Sequence, residues 1–117
     1  MKPLFVLAAA LPAFAAVTAE AQSGRAARCV IVSNGAPTFR GPCHFLAERG
    51  GTFTVTPLRA AEFPSGHTGI SVAVVAAGRA EVHGMTPRGP ASRWGTAVRS
   101  RRDRACWNGQ DFSVCAY

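Results

Sequence analysis

The chain has 117 residues, 48% of them hydrophobic, with 13 Lys and Arg against 6 Asp and Glu and a formal net charge of +7. That length holds one domain with a modest core. The positive balance favours anionic partners through long-range attraction, although an arginine-rich, lysine-poor composition is also what a GC-rich genome produces. Where the arginines cluster therefore says more than how many there are.

Lys2 opens a short positive region, and Leu4 to Val17 is an apolar, alanine-rich run broken by Pro12. The run is shorter than the roughly 20 residues a membrane span needs. Ala19-Glu20-Ala21 fits the small-x-small cleavage pattern of a secretory signal peptide. Residues 1–21 are thus expected to be a signal peptide, and 22–117 a single exported domain, periplasmic or secreted, with no membrane span after signal removal. That domain keeps 12 arginines against Glu48, Glu62, Glu81, Asp103 and Asp111, so its charge stays at +7.

Export makes the four cysteines read as disulfides. Cys29 and Cys43 flank Asn34-Gly35, a strong hairpin-turn signal, and Cys106 and Cys115 flank Asn108-Gly109. Of the three possible connectivities, the local ones, Cys29–Cys43 and Cys106–Cys115, are expected, because each bracket encloses a turn that brings its ends together.

Between the brackets the sequence is β-like. Arg28 to Ser33 is β-branched, while Pro37 confines the returning segment to an edge or irregular position. Arg49-Gly50-Gly51 makes a turn. Thr52 to Thr56 alternates, with Phe53 and Val55 on one face. Ile70 to Ala77 is apolar almost throughout, as a central strand covered on both faces would be. Gly78 punctuates it, and Arg79 to His83 alternates again with Ala80 and Val82 inward. Thr96 to Arg99 and Phe112 to Ala116 complete the set. The expected fold is all-β: a small single-domain sandwich or barrel of six to seven short antiparallel strands with two disulfides.

Two patterns bear on chemistry. Pro64-Ser65-Gly66-His67, with Ser92-Arg93 and Asp103 downstream, resembles the acid phosphatases related to vanadium haloperoxidases. The resemblance implies that Ser65 and Arg93 hold phosphate and that His67 is a general acid. The nucleophilic histidine of that pattern would fall at position 99, which is Arg99, and an arginine stays protonated. The family's lysine block is absent from the exported domain, and its fold is helical. The match is therefore read as coincidence. His44, His67 and His83 have no metal-ligand spacing, no Gly-rich phosphate loop joins a strand to a helix, and Cys43-His44 lacks the earlier cysteine of a haem-attachment site. No catalytic residue, metal or cofactor is expected.

The second pattern is the run from Arg88 to Arg104, where Asp103 is the only acid. Arg93, Trp94, Arg99, Arg101, Arg102 and Arg104 are the anion-binding candidates, because forked guanidinium groups with an interleaved aromatic grip phosphate, carboxylate or sugar acids. The competing reading makes Ser100 to Arg104 a solvated loop and Trp94 a core residue.

Gly41-Pro-Cys-His-Phe45, Gly50-Gly-Thr-Phe53, Ser92-Arg-Trp-Gly95 and Ala105-Cys-Trp with Val-Cys-Ala-Tyr117 resemble a set of small exported bacterial disulfide-bonded proteins of unassigned function. That resemblance carries over no functional residues. Size, export and disulfides are also similar to those of small β-barrel lysozyme inhibitors, a likeness of architecture only. Two functions follow as expectations. One is a non-enzymatic binding or structural module contacting an anionic cell-envelope polymer through an arginine-rich face. The other is an inhibitor or partner of an exported hydrolase. No specific nucleic-acid partner is expected.

Overall fold

The computed structural model describes residues 24–117; the expected signal peptide lies outside the described residues. These residues form eight strands: β1 Gly24–Ser33, β2 Phe39–Ala47, β3 Phe53–Pro57, β4 Gly69–Ala76, β5 Arg79–Thr86, β6 Gly89–Arg99, β7 Cys106–Asn108 and β8 Phe112–Ala116. Each pairs antiparallel with the next, and β8 returns to β1 through the register Cys29↔Ala116 to Ser33↔Phe112, closing a barrel. Closure gives every strand a neighbour on each side, although the first part of β2, Phe39 to Pro42, pairs with β1 alone.

The alternation read from the sequence sets the wall. Phe53, Val55, Ala80 and Val82 are buried as expected, joined by Ile31, Ile70, Val72, Ala97, Trp107, Phe112 and Val114. A barrel of eight strands has an interior that side chains can fill, so these residues form a packed core. The expectation of six to seven strands is corrected to eight. β4 also differs from the central strand covered on both faces. Its Ile70 and Val72 are buried, but Val75 is 58% exposed, because the strand has only one interior face.

Both local disulfides are present, Cys29–Cys43 and Cys106–Cys115, and no described cysteine is free. Cys106 and Cys115 are direct cross-strand partners between β7 and β8. Cys29 and Cys43 sit on a diagonal between β1 and β2, each fully buried. Asn34-Gly35 turns the chain between them, with Gly35 at φ 81°, a left-handed conformation glycine adopts without steric cost.

An up-and-down path sorts the connections into two groups. The β1–β2, β3–β4, β5–β6 and β7–β8 connections gather at one end, called here the loop mouth. The β2–β3, β4–β5 and β6–β7 connections and the start of β1 gather at the other, called here the arginine mouth. Residues 58–68 are the longest connection, and they fold Phe63 into the barrel at the loop mouth. Phe63 is 2% exposed and meets Phe39 edge-on at a centroid distance of 4.9 Å.

Candidate functional site

The arginine mouth is built by strand parity. Arg25 lies on the same face of β1 as buried Cys29 and Ile31, so the strand aims it at the barrel axis, two residues beyond half-buried Ala27. Arg99 stands two residues past buried Ala97 on β6 and pairs with Trp107 of β7. Positions of this parity hold apolar side chains deeper in the barrel. At this rim they hold cations.

A cavity of about 440 Å³ occupies the loop mouth and one of about 510 Å³ the arginine mouth. The second is lined by Arg25, Arg99 and Arg104 above Phe45, Phe53 and Trp107. Phe45 and Phe53 stack at 4.8 Å, and the Arg25 guanidinium lies 4.5 Å from the Phe45 ring centroid. The Arg99 guanidinium lies 5.6 Å from the Trp107 ring. Aromatic faces attract guanidinium groups and hold them in place without neutralising them. Among the described residues the one ion pair is Arg93–Glu81, so Arg25, Arg99 and Arg104 have no carboxylate partner.

The β6–β7 connection that carries Arg104 is a built turn. Ser100 Oγ accepts from the backbone N–H groups of Arg102 and Asp103, each at 3.1 Å, and Asp103 Oδ1 accepts from Ala105 N–H at 3.1 Å. Arg99 Nε donates to the Arg104 carbonyl at 2.8 Å, which fixes the guanidinium and leaves its terminal nitrogens free. The Tyr117 hydroxyl donates to Asp103 Oδ2, and this bond pushes the phenol above its ordinary pKa. Arg101 and Arg102 are exposed on the outer side of the turn and do not line the cavity.

Arg93 and Trp94 lie elsewhere. Six residues of extended β6 separate Arg93 from Arg99, about 20 Å at the usual strand rise, and Arg93 and Trp94 line the loop mouth with Ser65, His67, Asn34 and Asp111. Two of the expected anion-binding residues are thus set apart from the other four. Arg93 donates through Nε and Nη2 to Glu81 Oε1, at 3.2 and 2.8 Å, and Thr96 donates to Glu81 Oε2 at 2.8 Å. These bonds, Arg93 first, hold the Glu81 carboxyl below the usual carboxylate range. Trp94 is the extra residue of a β-bulge, since Val82 faces Gly95 while the next residue, His83, faces Arg93. The bulge re-aims the indole toward His67 and Phe112, which it meets edge-on at 5.2 and 5.5 Å.

The phosphatase-like pattern divides in the same way. Ser65, His67, Ser92 and Arg93 share the loop mouth, with Ser65 Oγ 2.9 Å from His67 Nδ1. Arg99 and Asp103 belong to the opposite end of the barrel. No group of three or more potential metal ligands occurs among the described residues.

Arg25 was not among the residues expected from the sequence, although the parity of Cys29 and Ile31 extended four residues backward from Cys29 reaches it. Phe53 was legible as core, but its position as floor of a mouth was not. No protein-family model, curated protein or solved structure matches this chain.

Proposed function

We propose that the protein is an exported, non-enzymatic binding module that seats the acidic groups of a cell-envelope polymer in its arginine mouth. The observation that carries this reading is a cavity lined by three cationic residues, Arg25, Arg99 and Arg104, the first two held over Phe45 and Trp107, with no described carboxylate paired to them. Guanidinium forks bind carboxylate and phosphate through paired hydrogen bonds, and such charge-assisted bonds are roughly twice as strong as neutral ones. The positive charge of the whole chain steers a polyanion toward the mouth. Two disulfides are compatible with an oxidising exported compartment.

The test is titration of the disulfide-bonded protein with a galacturonic-acid trimer, alongside cosedimentation with lipopolysaccharide. Arg25→Ser combined with Arg99→Ser should weaken both at least about tenfold, equivalent to about 1.4 kcal/mol. Arg101→Ser combined with Arg102→Ser should weaken them only modestly, and mainly at low salt, where exposed charges act at a distance. Equal binding by wild type and the Arg25/Arg99 variant would defeat the reading and favour a protein partner.

A further inference from the structure

The loop mouth carries a second set of groups that the anionic reading does not use. We propose that it is a separate binding site for a neutral saccharide, with Trp94 as its aromatic wall and Ser65, His67, Asn34 and Asp111 as its polar contacts.

Charge is the first constraint on the ligand. Arg93, the cation at this mouth's wall, is held by Glu81, and Asp111 adds an unneutralised carboxylate. An anionic ligand would meet that carboxylate with no free cation to offset it. A cationic ligand would have to approach a chain of net charge +7. The ligand suited to this mouth is uncharged.

Hydrogen-bonding capacity is the second constraint. The polar side chains are held in pairs: Ser65 Oγ with His67 Nδ1 at 2.9 Å, and Asn34 Nδ2 donating to Asp111 Oδ2 at 3.4 Å. Each pair fixes its members and leaves capacity over, since the amide retains a donor and an acceptor and the carboxylate a whole oxygen. A ligand matched to such a mixture must donate and accept from neighbouring positions, as adjacent hydroxyl groups of a sugar do. Shape is the third constraint. The half-buried indole of Trp94 offers an apolar surface to the C–H face of a pyranose, and buried Phe112 lines the mouth beside it. Its volume of about 440 Å³ falls within the range of small-ligand sites, about 300–1,000 Å³. Gly84 completes the wall, because a Cβ there would collide with the His67 ring and the Trp94 indole.

The chain has two tryptophans, one at each mouth, so their indole N–H resonances report on the two sites separately. Titration of the disulfide-bonded protein with an N-acetylglucosamine trimer should shift the Trp94 signal and leave that of Trp107 in place. The galacturonic-acid trimer should do the reverse. Asp111→Asn and Ser65→Ala, both at partly or fully exposed positions that spare the core, should each weaken the neutral trimer about fivefold or more without altering the thermal midpoint. No Trp94 shift, a shift at Trp107 alone, or unchanged affinity in both variants would overturn the proposal. So would preference of this mouth for the galacturonic-acid trimer or for a cationic glucosamine trimer. Loss of acidic-trimer binding alone would count against the arginine mouth and leave this site standing.

Discussion

At the scale of single residues, the hydrogen bond from Tyr117 to Asp103 ties the C-terminal residue to the turn that presents Arg104. Because the bond exists only while the phenol keeps its proton, it raises the folded pKa of Tyr117 above the ordinary value. The sign follows directly: the contribution to stability is fully present below the unfolded tyrosine pKa and is lost as pH rises through the folded value. Tyr117 is the only tyrosine, so tyrosinate absorbance follows this one group. Asp103→Asn should lower the absorbance midpoint toward that of free tyrosine, and an unchanged midpoint would show that the bond does not form in solution. Residue-scale patterns were the most legible in the sequence. Asn34-Gly35 marked a turn, and alternation placed Phe53, Val55, Ala80 and Val82 inward, because both signals are local. Trp94 could not be oriented from sequence, since a bulge changes parity without changing composition.

At the scale of elements, the two disulfides have different expected effects. Cys29–Cys43 closes a separation of 14 residues and joins two fully buried sulfurs, whereas Cys106–Cys115 closes 9 residues at the barrel wall. Chain entropy gives about 3 kcal/mol for the longer loop and slightly less for the shorter. Cys29→Ala with Cys43→Ala should therefore cost more in denaturant melts. Cys106→Ser with Cys115→Ser, which frees β7 beside the turn carrying Arg104, should cost more in affinity for the galacturonic-acid trimer. Equal affinity losses in the two variants would remove the turn from the site. Among the strands, β2 was the hardest to read because Gly41 and Pro42 within it, and Pro37 just before it, are poor strand formers. The structure accommodates Pro42 because β3 pairs only with Cys43 to Ala47, so β1 alone flanks the first part of β2. A missing N–H can face the open side there.

At the scale of the whole molecule, barrel closure decides which charges meet. The pairing of β1 with β8 joins segments from the two ends of the domain, a contact no local pattern announces, and it aims Arg25 toward the same mouth as Arg99. The arginine run read from the sequence is a concentration of charge along the chain rather than on one face. It was divided because a strand of that length crosses the barrel, so Arg93 and Arg99 fall at opposite ends. The difference between the mouths is then one of compensation, and it can be altered. Glu81 holds Arg93, and the hydrogen bonds from Arg93 and Thr96 keep its carboxyl ionised to lower pH than usual. Any stability this adds is present above the ordinary carboxylate pKa and is lost as pH falls through the lowered folded value. Wild type should therefore keep the galacturonic-acid trimer out of the loop mouth across neutral and mildly acidic pH. Glu81→Gln combined with Asp111→Asn removes both carboxylates and leaves Arg93 as a free cation beside Trp94. The acidic trimer should then shift both indole resonances, with the new Trp94 response weakening steeply as salt is added. Because both changed side chains lie on the surface rather than in the core, the melting midpoint should move little. A double variant that still shifts only Trp107 would show that charge compensation is not what separates the two mouths.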